Sequence, residues 1–422
     1  MGKKILILYE KMGMGHLRMA EILHDILKGD GTEFVKMAGS DLVDSSDVNA
    51  VVKIWNTFIR KNWIKAVDIL LNFLARILVI PAEEAGQVRL AHDRLEKMAP
   101  DIIICTADMY SKLLGGYASE KRIPFYLFIT DLSLFIDLVN PYAVHLCYFK
   151  DTAAAIRSYD FKLAYYSFPL DRSTRGAGKL KYILGYYRDF LLGAYKNSVY
   201  RDISQKLKQK NDARVEVIGP LVESRHYVKK DPLECRRRLG ITNNDPVVLA
   251  ASGSIGGKML LNITRIICRS STRKINLLAM CGNDRQVYEK ISSMQEPSGP
   301  VNLMAFSYVR NFEDFLCCAD CIILRPSAGI FLESLVHRVP AIALCPVTSN
   351  DRGTLGMIEK YQVGGICKKK TDLAKTLSGI LDNKSEYRDN IDSLLREYPS
   401  TYEEIREKIR DLICNVADNT FC

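Results

Sequence analysis

The sequence predicts an α/β protein of two domains, each built on a parallel sheet. Three observations carry this expectation. The chain has 422 residues, enough for about two domains of ordinary size. Short apolar runs alternate with amphipathic helical stretches through both halves, the rhythm of βαβ units. Hydrophobic residues make up 48% of the chain, enough to give each half a sizeable core.

Residues 5–9 read as a buried strand, followed by a turn from Glu10 to His16. A helix then runs to about Lys28, with Met19, Ile22, Leu23, Ile26 and Leu27 on one face and Gly29 stopping it. A dinucleotide fingerprint fails here, because Arg18 stands where its third glycine belongs. His16 lies at the carboxyl end of the strand, the edge where open α/β sheets bind ligands. It reads as a base or hydrogen-bond donor, or else as a capping or structural histidine. Residues 100–105 and 124–129 read as two more strands, leading to Asp108 and Asp131 on the same edge. Each carboxylate is a candidate to act as a base, to orient one, or to cap the next helix.

Residues 51–80 differ in character. Trp55, Phe58, Ile59, Trp63, Val67 and Leu70 recur at helical spacing beside Lys53, Arg60, Lys61 and Lys65. This stretch reads as a membrane-surface helix or as a core-facing helix with a solvated side. Residues 171–215 are basic and rich in tyrosine, and read as a contact for an acceptor or lipid, or as a helical linker. The expected organisation is a first domain over 1–172, a linker over 173–232, a second domain over 233–398, and a helix over 399–422 packing back on the first domain.

The second half is organised around Ser252-Gly253-Ser254-Ile255-Gly256-Gly257-Lys258. A strand precedes this turn at 247–251 and a helix follows it. Strand, glycine turn and helix aim free N–H groups and a positive helix end at a phosphate. Glycine lets the phosphate reach the backbone. A P-loop is excluded, because Met259 follows Gly257-Lys258 and Ser252 stands at the first glycine position. An ordinary strand–helix turn is the other reading. Further strands follow at 275–281, 301–306, 320–324 and 340–344. The third of these leads into Ser327, Ala328 and Gly329 and a helix carrying Glu333, and the fourth leads into Asn350 and Asp351.

The formal net charge of +10 is spread along the chain. It favours anionic partners such as nucleotide sugars or an anionic membrane surface, and it does not favour nucleic acid. No apolar run approaches the ~20 residues that span a bilayer, so a cytoplasmic protein, peripheral on the inner face of the membrane, is expected. The twelve cysteines read as reduced thiols. The Cys318–Cys321 C-x-x-C lacks the second ligand pair a metal would need.

These motifs, in this order, resemble the GT-B glycosyltransferases, and within them the branch of monogalactosyl- and glucosyl-diacylglycerol synthases. The lipid II N-acetylglucosaminyltransferase is a more distant likeness. Gly13-Met14-Gly15-His16 with Ala20 is similar to that branch's G-x-G-H-x-x-x-A, and Thr130-Asp131-Leu132 to its T-D strand end. Ser252 to Gly257 is similar to its G-G-S-x-G-G-like loop, and Pro326 through Glu333 to P-G-G-x-T-x-x-E in spacing. The resemblance implies two Rossmann-like domains facing a central cleft and a UDP-sugar donor. Gly15, Ser252, Gly253, Ser254, Gly256, Gly257, Ser327, Ala328 and Gly329 would surround the diphosphate. The backbone at Tyr308 and Val309 would read the base, Glu333 would take the ribose hydroxyls, and Asn350 and Asp351 would approach the sugar.

It further implies inversion at the anomeric carbon without a metal or other cofactor, which the lack of any Asp-x-Asp fits. His16 is the leading base, with Asp131 and Asp108 behind it. The implied acceptor is a hydroxyl of a diacylglycerol-like lipid, met at an anionic membrane through Trp55, Phe58, Arg60, Lys61 and Trp63. Four departures stand against the pattern: Ile330 at the threonine, Arg325 before the proline, Ser349-Asn350-Asp351 at the Gly-Gln-Glu, and Thr354 at a later asparagine. They keep open a soluble natural product or glycan as acceptor, a UDP-sugar epimerase, and a non-catalytic nucleotide-sugar binder.

Overall fold

In the computed structural model of this chain, the apolar runs of the first half become short strands that pair in parallel. They are β1 (Lys4–Tyr9), β2 (Glu33–Ala38), β3 (Ile102–Cys105), β4 (Phe125–Phe128), β5 (Leu134–Phe135), β6 (Val144–Cys147), β7 (Tyr200–Arg201) and β8 (Arg214–Val217). Six of them form one sheet in the order β2-β1-β3-β4-β6-β8, while β5 and β7 make a small antiparallel pair. Ile5 pairs with Ile102 and Leu8 with Cys105, so the β1–β3 register brings their carboxyl ends level. β3 and β4 are buried along their whole length, which is why both read as unbroken apolar runs. The structure describes residues 3–414 except 12–13, 30, 44–45, 71–73, 75–79, 108, 169, 172–173, 193–199, 202, 204–206, 254–256 and 295–298.

The second half repeats the plan with β9 (Val247–Ala251), β10 (Ile275–Met280), β11 (Val301–Phe306), β12 (Cys321–Leu324), β13 (Ala341–Leu344) and β14 (Gly364–Cys367). Their order is β11-β10-β9-β12-β13-β14, all parallel. The helix Lys258–Ser270 lays Leu260, Ile263 and Ile267 on this sheet, in one core with Val248, Ile323 and Ile342.

The chain divides into two compact units, with the last helix in the first unit as expected and residues 56–67 unexpectedly in the second. One unit holds Met1–Trp55, Asp68–Gly219 and Glu403–Cys422; the other holds Asn56–Val67 and Pro220–Tyr402. The stretch expected as a linker therefore belongs, as far as Gly219, to the first unit. Its helix Ala177–Leu191 buries Tyr182, Gly185, Tyr186 and Asp189. Asp189 accepts from the Ala164 N–H at 2.8 Å, and a Cβ on Gly185 would stand 2.6 Å from the Phe168 ring. A buried face of tyrosine, glycine and aspartate carries no aliphatic periodicity, so the segment looks irregular in sequence.

Residues 56–67 depart from the expected first domain for a local reason. Gly257 has φ +125°, and a Cβ there would lie 2.8 Å from the Arg60 carbonyl oxygen. Backbone meets backbone at this point, which only glycine permits. The last helix, Tyr402–Cys414, buries Ile405, Ile409 and Ile413. Lys408 donates to the Val217 carbonyl at 2.7 Å and Arg410 to that of Ile26 at 2.9 Å, both within the first unit.

The first unit also buries two electrostatically coupled titratable groups. Glu84 on the helix Ile80–Met98 and Lys112 on the helix Ser111–Lys121 are both nearly inaccessible. Lys112 donates to the Tyr165 carbonyl and lies over the Tyr165 and Tyr182 rings at 5.2 and 5.5 Å. Burial pushes the Glu84 carboxyl up and the Lys112 ammonium down, and the charge of each pulls the other part of the way back.

Candidate functional site

In the first sheet the chain leaves β1 sideways to β2, then crosses to β3 on the other flank. Such a reversal opens a crevice at the carboxyl ends of the two central strands, the usual ligand position in doubly wound sheets. His16 sits there, buried, as the second residue of the helix Gly15–Leu27. Its Nδ1 lies 2.6 Å from the Thr106 carbonyl oxygen and 3.1 Å from the Thr130 hydroxyl. A carbonyl oxygen only accepts, so Nδ1 carries the proton and Nε2 keeps its lone pair. Thr106 in turn donates its hydroxyl toward the carbonyls of Leu8 and His16, at 3.2 and 3.1 Å. This ties β3, β1 and the turn together around the ring.

Gly15 is exposed, and the first turn of its helix holds no acid and no side-chain cap, so its positive end stays available to an anion. Asp131, half-buried, follows Thr130 in the chain. Asp108 lies outside the described residues. Sequence reasoning passed over the roles of Thr106 and Thr130. A threonine at each of two strand ends was the available signal, but a backbone carbonyl that fixes a tautomer leaves no mark in the sequence.

The second sheet has the same reversal between β9 and β12. Ser252 and Gly253 leave β9, with Gly253 at φ +81°, and Gly257 begins the helix Lys258–Ser270. Ser254 and Gly256 lie outside the described residues. The Ser252 hydroxyl is buried, with no hydrogen-bond partner among the described residues. An orphaned hydroxyl of this kind costs about 1–3 kcal/mol until something pairs with it. Ser327 precedes the helix Ala328–Val336, whose first turn is also free of acid and of a side-chain cap, and Gly329 there is exposed. By contrast the helix Arg285–Ser292, after β10, is closed by the Asp284 carboxylate accepting from Val287. The crevice in this unit thus gathers two helix N-termini suited to an anion.

Glu333 is buried one turn inside the helix Ala328–Val336. Tyr308 is exposed and Val309 half-buried just beyond β11. Asn350 is buried. Asp351 is engaged inside the unit: Arg325 donates to it at 3.0 and 3.4 Å and Thr348 at 3.0 Å. Two of the sequence departures, Arg325 and Asp351, are therefore partners of one another. Among the described residues no group of three His, Cys, Asp or Glu side chains could hold a metal ion. Burial pushes the thiols of Cys317 and Cys318 up to about 12.

The aromatic, basic stretch separates into two kinds of residue. Trp55 is 6% exposed and belongs to a core, whereas Trp63 is 51% exposed. Phe58 is half-buried with its ring 5.4 Å from that of Trp63, and Lys61 lies over the Trp63 ring at 4.8 Å. Arg60 and Lys61 are exposed.

No family model matches the chain. It is similar to a processive diacylglycerol beta-glucosyltransferase of Bacillus pumilus, 22% identical over 98% of this chain and 97% of the relative. Among solved structures it is similar to CalG4, the calicheamicin glycosyltransferase, with TM-score 0.58, 13% identity, and 99% and 100% of the two chains covered. It is similar to MurG of Acinetobacter baumannii with TM-score 0.57, 13% identity, and coverage of 98% and 100%. Two parallel six-stranded sheets, each with its crevice at a central reversal, are the GT-B fold, and that is the fold of this protein. Its sequence likeness runs, over nearly the whole length, to the diacylglycerol glucosyltransferase.

Proposed function

We propose that the protein is an inverting glycosyltransferase that moves a sugar from UDP to a hydroxyl of a diacylglycerol-like lipid at a membrane surface. The observation that carries this reading is the fixed tautomer of His16. Nδ1 keeps its proton and donates the N–H to the Thr106 carbonyl, so Nε2 takes the proton of the acceptor hydroxyl as its oxygen attacks the anomeric carbon. The bond from that carbon to the UDP oxygen breaks, and configuration inverts. UDP leaves as an anion, held by the helix N-termini after β9 and β12 and by the Ser252 hydroxyl, without a metal. Glu333 accepts from the ribose hydroxyls.

Two exposed surfaces support a lipid acceptor. Trp63 stands out with Arg60 and Lys61 beside it. In the first unit, the helix Ala177–Leu191 exposes Leu180, Leu184 and Leu191 at helical spacing, with Lys181 and Arg188 exposed among them. Apolar side chains flanked by cations fit an anionic lipid surface, and each fully buried one contributes about 1.5–3 kcal/mol to binding. The name of the full-length relative points the same way.

The test is transfer from UDP-glucose, UDP-galactose or UDP-N-acetylglucosamine to diacylglycerol in vesicles containing phosphatidylglycerol, read as labelled glycolipid. Label on lipid from one of these donors is expected. Label only on soluble phenolic acceptors would overturn the lipid reading, and UDP-sugar interconversion without an acceptor would make the protein an epimerase.

A further inference from the structure

Behind Glu333 stands a pair of histidines that the donor site as so far described does not use. His226, in the short turn Ser224–Tyr227 just after the start of the second unit, is buried, with its side chain 1% exposed. Its Nε2 lies 3.8 Å from Glu333 Oε1, and its Nδ1 lies 3.2 Å from Nε2 of His337. The two rings meet edge to face, with centroids 5.3 Å apart. His337 caps the C-terminal end of the very helix that carries Glu333, and its N–H donates to the Glu333 carbonyl at 3.2 Å. Burial pushes the His337 ring down to about 4, so it is neutral at physiological pH.

The protons follow from these contacts. Only one hydrogen fits between His226 Nδ1 and His337 Nε2. If neutral His337 donates it, His226 accepts at Nδ1 and carries its own proton on Nε2. If His226 is charged, both its nitrogens carry protons. The remaining arrangement turns a lone pair of His226 toward a buried carboxylate, which low dielectric makes unfavourable. In both favourable states an N–H of His226 points at Glu333.

We propose that His226, backed by His337, is the positioning residue for the Glu333 carboxylate: it holds one carboxylate oxygen from behind so that the other is aimed at the ribose hydroxyls of the donor. The inference rests on the reading of Glu333 as the ribose ligand. At 3.8 Å the contact is electrostatic in the absence of donor. Without the His226 N–H behind it, the carboxylate loses part of what fixes its aim.

The experiment compares binding of UDP and of 2′,3′-dideoxy-UDP by calorimetry to the wild-type protein, Glu333→Ala, His226→Leu and His226→Gln. Glu333→Ala is expected to lose affinity for UDP and to leave the dideoxy analogue unchanged. His226→Leu is expected to bind UDP about tenfold more weakly, again with the analogue unchanged, because its effect passes through the ribose contact alone. His226→Gln keeps an N–H donor and is expected to stay within about threefold of wild type for both probes. If His226→Leu weakens both probes equally, or neither, the proposal is overturned. If Glu333→Ala itself fails to discriminate the two probes, the ribose reading of Glu333 falls first, and with it the inference. Should His226→Leu not fold, His337→Leu carries the same expectation at reduced size: UDP is weakened about threefold and the analogue is unaffected.

Discussion

His16 Nδ1 has a strong acceptor in the Thr106 carbonyl at 2.6 Å, and the proton held there leaves Nε2 as the basic atom. Replacing His16 by glutamine removes the base and keeps a polar group of similar reach. Transfer is expected to fall ~10²–10⁴-fold, while the rise in melting temperature on adding UDP stays at the wild-type value. A lost UDP response would make His16 a donor-site or structural residue instead. At this scale the sequence was partly legible. A histidine at a strand's carboxyl end, followed by a helix, marks itself. The atom that sets its tautomer does not, because Thr106 contributes a carbonyl that any residue would supply. Asp351 was legible as a carboxylate near the site, but its engagement by Arg325, 26 positions earlier, was not.

Among elements, the helix Ala177–Leu191 has the most to teach. Its Tyr182 meets both of the buried, coupled groups: the ring lies against the Lys112 ammonium and the side-chain hydroxyl favours the charged form of Glu84. Lys112 lowers the Glu84 carboxyl against the effect of burial and donates to the Tyr165 carbonyl, so its loss leaves two buried polar groups without that partner. Lys112→Met is expected to destabilise the protein by about 1–3 kcal/mol in urea unfolding. The double change Lys112→Met with Glu84→Gln is expected to recover a large part of that loss. Equal losses from the single and the double change would show that the pair is held by its neighbours and not by its charges. The sequence offered this helix only as one of two readings, because its inward face is aromatic and polar. The strands, apolar from end to end, were read without difficulty for the opposite reason.

For the molecule as a whole, each unit contains a histidine that burial, full for His145 and partial for His337, keeps neutral until acid charges it. His145 on β6 accepts the Asn140 N–H at Nε2, 3.0 Å, and places Nδ1 3.1 Å from the Arg214 carbonyl on β8. Both nitrogens are therefore satisfied only in the neutral ring. Burial lowers His145 from 6.5 to about 4, and His337 in the second unit likewise. A pKa depressed on folding means that the unfolded chain binds the proton first. The stability from each ring is thus complete above pH 6.5 and is lost as pH falls toward 4, by about 3 kcal/mol each. Urea midpoints measured from pH 7.5 to 4.5 are expected to fall steadily below pH 6.5. His145→Asn should start lower at pH 7.5 and lose less on acidification. A flat profile over that range would show that neither ring resists protonation.

The division of the chain between its units has a consequence for how the protein is made. The first unit takes its closing helix, with Ile405, Ile409 and Ile413, from the far end of the sequence, and the second unit borrows residues 56–67 from near the beginning. On the ribosome the N-terminal unit is therefore the first to emerge and among the last to be completed. It waits for about 180 intervening residues that belong elsewhere. A nascent chain arrested before Tyr402 would hold a finished β9–β14 sheet and a first unit still lacking the hydrogen bonds of Lys408 to Val217 and Arg410 to Ile26.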